Sequence, residues 1–181
     1  ICVSQDEAAF FEARGAGRVR VVTPWLSRAA LTDSTLAGRA DIGFVAGWLA
    51  GAGSPNGDGL AWFATEVLPL VIAEVPWARL RVTGTIPPPL DRLQGVHVRG
   101  EGFVPDLAVF YRQLRVAIAP LRFGAGVKLK TLEALQYGVP VVATTVGAEG
   151  LEGLPADTVV VHDDPVAFAA AIVTRLRDVD V

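Results

Sequence analysis

The stretch Pro120-Leu-Arg-Phe-Gly-Ala-Gly-Val-Lys-Leu-Lys-Thr-Leu-Glu-Ala-Leu135 runs from the end of an apolar strand, through a loop bearing Gly124 and Gly126, into a helix. The helix is expected from about Val127 to Tyr137, where Gly138 and then Pro140 supply a stop. Outward from this unit the same alternation repeats. Apolar runs at 42–45, 80–82, 96–98, 116–119, 139–143 and 159–161 read as strands. They are continuous rather than alternating, as in a parallel sheet covered on both faces. Leu60, Phe63, Val67, Leu70 and Val71 follow helical spacing, with Pro69 expected to kink or split the run. Further helices are expected over 105–114 and 165–177, the latter capped by Asp163 or Asp164 with Pro165 in its first turn. The fold class is therefore α/β, a mainly parallel sheet with helices on both faces, which binds ligands beyond the carboxyl ends of its strands.

The first forty residues fit this pattern less well. Residues 1–4 and 19–22 look like short strands, followed by a polar connector over 27–40. They read as the tail of a preceding domain plus a linker, with the sheet domain spanning 41–181. The start at Ile1 and the lack of methionine point the same way, to a piece of a longer protein.

The opening stretch also carries the chemistry. Gly124 and Gly126 remove side chains where backbone must approach something closely. Free N–H groups at the helix start form an anion site, reinforced by the helix dipole. Lys128 and Lys130 lie at the end where that dipole disfavours cations, which an anion alongside would explain. Leu129, Leu132 and Leu135 share an arc that can face the sheet. Lys130 and Glu133 stand beside it, about 60° apart on a 3.6-residue helix. An amine for phosphate and a carboxylate for sugar hydroxyls suit a phosphorylated sugar ligand. A surface ion pair at i, i+3 is the alternative. The loop is neither a Walker loop nor a dinucleotide fingerprint, since neither spacing occurs.

Composition narrows the classes. Of 181 residues 51% are hydrophobic, enough for a buried core. A formal charge of -3 offers no basic surplus for nucleic acid. Cys2 stands alone and His97 and His162 lie in separate segments, so no metal site is expected. No run reaches the roughly 18 apolar residues of a membrane helix. Trp25, Trp48, Trp62 and Trp77 read as packing or cleft-wall residues, and His97 as core. Arg122 could reach a phosphate or stand as an exposed loop arginine. A phospho-acceptor receiver is excluded, because 45–53 lacks the acidic pair it needs.

Residues 116–151 resemble the carboxyl-terminal donor-binding segment of the retaining glycosyltransferases of the GT-B architecture, the group 1 type, built of two facing Rossmann-like domains. The resemblance rests on Glu133-Ala134-Leu135, on Gly138-Val-Pro-Val-Val-Ala-Thr144 and on Gly147-Ala-Glu-Gly150. It extends through Phe44-Val-Ala-Gly47, Pro55-Asn56, Trp62-Phe63, Glu66-Val-Leu-Pro69, 79–84 and 96–100, covering roughly 41–161. It implies that Glu133 binds the nucleotide ribose. Lys130, with Lys128 and the backbone at Gly124, Ala125, Gly126 and Val127, would hold the donor diphosphate. Gly102, Phe103 and Val104 would lie near the base, with Gly47 and Asn56 lining the cleft. Ala125 stands where many members carry the first of two glutamates eight positions apart, near the transferred sugar. Some branches share the Gly-Ala-Gly-Val-Lys form. The loop after Trp48 lacks the basic residue that members often set against the diphosphate.

The implied activity is metal-independent sugar transfer, with retention, from a nucleotide sugar to a glycan or lipid-linked acceptor, with no cofactor beyond the donor. No nucleophile or base is visible, which fits acceptor chemistry residing in another domain. The implied location is cytoplasmic, with peripheral membrane association of the full-length protein left open. A nucleotide-sugar 2-epimerase of the same architecture and a non-catalytic binding or scaffold module remain as alternatives.

Overall fold

A computed structural model describes residues 2, 5–22, 36–47, 49–151 and 158–178. Six parallel strands form one sheet: β1 Asp41–Val45, β2 Leu80–Thr83, β3 Val98–Gly102, β4 Leu114–Ala119, β5 Val141–Ala143 and β6 Val159–Val161. Their order is β3-β2-β1-β4-β5-β6, so the chain reverses its direction of travel across the sheet between β1 and β4. This is the Rossmann-like arrangement, and the reversal leaves a crevice at the carboxyl ends of those two strands.

Side chains alternate across the sheet, as strand geometry requires. Ile42, Phe44, Val116, Ile118 and Val142 belong to one core, packed under Leu60, Phe63 and Val71 and under Phe168 and Ile172. Those helical residues come from α2 Pro55–Trp62, α3 Leu68–Glu74, the wide turn joining them, and α6 Pro165–Arg177. The opposite face presents Ala117, Ala119, Val141 and Ala143 to Phe110 and Tyr111 of α4 Leu107–Tyr111 and to Ala134 of α5 Leu129–Gln136. On this second face the sheet itself supplies small residues, Ala117, Ala119 and Ala143, where α5 packs.

The run that holds Pro69 is split, as expected, into α2, a wide turn and α3. The turn Phe63–Val67 widens to a π-type turn, with the Leu68 N–H donating to Phe63 O, and α3 begins around the proline. That local widening accommodates the missing N–H. At the last helix, Asp164 is the cap and accepts from the Ala167 N–H at 2.9 Å.

Several expectations shift, among them the strand expected over 139–143, which is paired only over Val141–Ala143. The strand expected at 96–98 is β3, which starts at Val98 because pairing with β2 sets Leu80 against Val98. Val96 is 85% exposed. The helix expected over 105–114 is shorter, because Leu114 is drawn into β4, where it pairs with Asp41. The arc of α5 that meets the sheet is not Leu129, Leu132 and Leu135. Thr131 and Ala134 are its buried residues, Leu135 packs beside them, and Leu129 is 47% exposed. The facing Ala117, Ala119 and Ala143 leave room for a helix that approaches closely with small side chains.

Near the amino terminus, Cys2 and Val21 form a parallel bridge around an unforeseen helix, α1 Gln5–Glu12. The strand expected over 19–22 is thus reduced to that contact. The other residues of 1–4 and most of the expected connector, 27–35, lie outside the described residues. Leu36 is buried, its carbonyl accepting from Arg115 Nη1 at 2.9 Å.

Close approach also governs the middle of α2. A Cβ on Gly59 would lie 2.5 Å from the Pro120 carbonyl oxygen, backbone that cannot rotate away. Gly59→Ala is expected to cost about 1–3 kcal/mol of stability. Gly53→Ala, where nothing lies within 4 Å, is expected to leave stability unchanged or slightly raised. Urea denaturation of both variants checks this, and equal midpoints would refute the tight seat of α2.

Candidate functional site

The crevice between β1 and β4 is where the sequence-derived residues converge. Beyond β1 the chain turns at Gly47, whose φ of +48° is a conformation that L side chains rarely adopt. Asn56, near the start of α2, donates from Nδ2 to Ala46 O at 2.9 Å, which fixes its amide over this turn. Its Oδ1 accepts from Lys130 Nζ at 3.3 Å. The amine lies 3.7 Å from the place a Gly47 Cβ would occupy. Gly47, Asn56 and Lys130 are therefore neighbours, although Lys130 comes from a helix beyond β4.

Lys130 is turned inward because Thr131 and Ala134 press α5 onto the sheet. It lines a cavity of about 250 Å³ with Phe44, Asn56, Ile118, Val127 and Thr131. Most of that lining is apolar. Burial pulls the amine down to about 8, partly offset by the Glu133 carboxylate. The start of α5 has no side-chain cap; its Leu129 and Thr131 N–H groups donate to Val127 O and Lys128 O, at 3.1 and 2.9 Å. An amine short of solvent at the positive end of a helix dipole can hold an anion.

Glu133 lies three residues beyond Lys130 on α5. Its Oε2 accepts from the Tyr111 hydroxyl at 3.1 Å. The Tyr111 ring stacks on Tyr137, with centroids 4.9 Å apart. Burial, and then the nearby carboxylate, push the Tyr111 hydroxyl far above its usual range, so it remains a neutral donor. Sequence reasoning missed Tyr111. Its signal was a phenol on the short helix just before the strand that feeds the loop.

The glycine loop is held from several sides. A Gly124 Cβ would stand 3.6 Å from Pro55, and Gly126, at φ +86°, lies near Glu7 of α1, whose Oε1 is 3.4 Å from a would-be Cβ. Ala125 is exposed. Lys128 lines the same cavity as Lys130, but its amine is engaged within the loop and the turn after β5. Its Nζ donates to Glu149 Oε2 at 3.0 Å and to Gly126 O at 2.7 Å. Gly102 ends β3 and Phe103 and Val104 follow it, with Phe103 86% exposed and Val104 packed on the second core. They lie at the same carboxyl edge of the sheet, two strands from β1.

Other candidates have other occupations. Arg122 is an exposed loop arginine in a bidentate pair with Asp58, at 2.8 and 2.6 Å. His97 Nδ1 lies 2.9 Å from Ala78 O, and Asp163 accepts from the Thr145 N–H and hydroxyl. Trp62 is core and Trp77 exposed, whereas Trp25 and Trp48 lie outside the described residues. Among the described residues no cluster of three or more His, Cys, Asp or Glu could hold a metal ion, and no helix is long and apolar enough to cross a membrane.

Residues 42–178 match the family described as glycosyl transferases group 1. The chain belongs to that family. Among curated proteins it is 29% identical, over 134 residues, to an uncharacterized 44.6 kDa protein in the cps region of Klebsiella pneumoniae, covering 68% of this chain and 34% of that protein. Among solved structures it is similar to S. aureus TarM, crystallised with fondaparinux, α-GlcNAc-glycerol and UDP, at 10% identity and a TM-score of 0.76, over 98% of this chain and 36% of that one. Sucrose-phosphate synthase from Thermosynechococcus elongatus gives 21% identity and a TM-score of 0.67, over 98% and 48%. HepE from Anabaena, solved with UDP and glucose, gives 19% and 0.66, over 98% and 53%. These structural likenesses establish the shared GT-B half-fold. The chain spans about a third to a half of the length of the proteins it matches.

The buried amine has a measurable consequence. The Lys130 value of about 8 lies below the ordinary 10.5, so between them the unfolded chain holds more protons than the folded one. Stability should therefore rise with pH across that window. Lys130→Met, which keeps the volume without the charge, is expected to be more stable than wild type at about pH 7. The difference should shrink as pH approaches about 10.5. Urea denaturation across this range decides, and a difference independent of pH would show that the amine is not buried in solution.

Proposed function

We propose that this chain carries the donor site of a retaining glycosyltransferase that moves a sugar from a nucleotide sugar to a glycan or lipid-linked acceptor. The observation that carries the reading is Lys130. Its amine is desolvated in the switch-point crevice, against Asn56 and an uncapped helix start, with Glu133 on the same helix. A desolvated cation regains much of its lost solvation when a diphosphate takes the place of water.

In this reading the Lys130 amine and the backbone N–H groups of Gly124, Ala125 and Val127 bind the diphosphate, with Gly126 and Lys128 shaping the loop that presents them. They stabilise the charge that develops on it as the glycosidic bond breaks. Positive charge from the chain itself does this, so the reaction is taken as metal-independent. Glu133, oriented by the neutral Tyr111, accepts from the ribose hydroxyls, and 102–104 meets the base. Residues 1–40 belong with a preceding domain that supplies the other wall of the cleft. The acceptor binds there, and the full-length protein works on the cytoplasmic side, with the inner membrane face as its place of peripheral contact. Retention follows the family likeness, and the anomeric configuration of the product tests it.

Calorimetry with uridine, guanosine, adenosine and thymidine diphosphates tests the site. Lys130→Met and Glu133→Gln should each lower affinity by about 1.5–3 kcal/mol, roughly 10- to 150-fold. Gln is the better probe at 133, because it still accepts from the buried Tyr111 hydroxyl. Equal affinity in wild type and both variants would overturn the assignment. Labelled-donor assays on the full-length protein then separate transfer from a non-catalytic role.

A further inference from the structure

Glu149 stands in the turn that follows β5, in a stretch whose sequence matched the family without suggesting a task for its carboxylate. Both oxygens are engaged. Oε1 accepts from the Gly126 N–H at 3.3 Å and Oε2 from Lys128 Nζ at 3.0 Å. The same amine donates to Gly126 O at 2.7 Å, which closes a ring of contacts around the glycine loop. The Lys128 side chain is only 9% exposed, so it is part of this ring and not a free cation at the surface.

The backbone that carries Glu149 has little freedom to swing. A Cβ on Gly147 would lie 1.9 Å from Ala119 O, at the end of β4. Thr131 of α5 donates from Oγ1 to Gly147 O at 3.2 Å, and the Gly147 N–H donates to Thr144 Oγ1 at 3.0 Å. On the other side of Glu149, a Gly150 Cβ would lie 2.6 Å from Val127 Cγ2. The turn is wedged between the end of β4, the start of α5 and the loop itself.

A carboxylate beside an anion site opposes ligand binding unless its charge is compensated. Here Lys128 compensates it, and the rigid seat keeps it in place. We propose that Glu149 is a positioning residue for the donor diphosphate. By gripping Gly126 and Lys128 it holds loop 124–128 in shape and leaves Lys130 as the amine that meets phosphate. The role of Glu149 rests on the donor-site reading above. The opposite possibility is that its carboxylate occupies the anion seat and must leave before a diphosphate enters.

Backbone hydrogen exchange on the full chain, with calorimetry using the four nucleoside diphosphates, separates these cases. In Glu149→Gln the amides of 126–129 should exchange at least about tenfold faster, while those of β1 and β4 keep wild-type protection. Affinity for the diphosphate that wild type binds should fall about tenfold, with partial recovery in Glu149→Asp. Lys128→Met breaks the ring from its other member and should act in the same direction, which covers the case of an unfolded Glu149 variant. Unchanged exchange at 126–129 would overturn the proposal. So would tighter diphosphate binding by Glu149→Gln, the outcome expected of a carboxylate that blocks the seat. Weakened binding in Lys130→Met with wild-type binding in Glu149→Gln would remove only the role of Glu149. If wild type binds none of the four, the donor-site reading falls and the diphosphate role of Glu149 falls with it, whatever exchange shows.

Discussion

The approach of α5 to the sheet is the constraint on which the rest depends. Ala117, Ala119 and Ala143 on one side and Thr131 and Ala134 on the other leave space for backbone to come near backbone. With larger residues the helix would ride higher and Lys130 would reach solvent. With these, its amine is carried into the crevice between β1 and β4. Packing that looks merely structural therefore sets the electrostatics of the site.

That site concentrates its charge by disposing of the alternatives. Arg122 is spent on Asp58 and Lys128 on Glu149, both by direct ion pairs. Lys130 lies beside the neutral oxygen of Asn56, with Glu133 as a nearby counter-charge that also takes the Tyr111 hydroxyl. Three basic residues in one loop and helix start thus reduce to one desolvated amine. A desolvated cation destabilises the fold, a cost that proteins accept mainly where a ligand will offset it. Asn56 and the turn at Gly47 stand against the amine and limit where it can go.

Much of the fold could be read along the chain. Continuous apolar runs at 42–45 and 116–119 signalled strands covered on both faces, and the stop at Gly138 and Pro140 ended α5 near its observed limit. Errors came where a neighbour decided the matter. The register of β3 follows β2, the length of α4 follows the pairing of Leu114, and the buried arc of α5 follows the small residues opposite. Helical periodicity identifies which residues share an arc, but not which arc the sheet will accept.

The sequence by itself determined the alternation of strands and helices, the glycine loop between β4 and α5, and the presence of Lys130 and Glu133 one helical step apart. Those are consequences of local spacing and backbone chemistry. Only the tertiary structure decided what each charge does. Lys128 and Lys130 are two positions apart and alike in composition, yet one is neutralised by a carboxylate from the turn after β5 and the other is desolvated against an asparagine from α2. Solvation and pairing depend on what lies across space, and those partners come from distant parts of the chain.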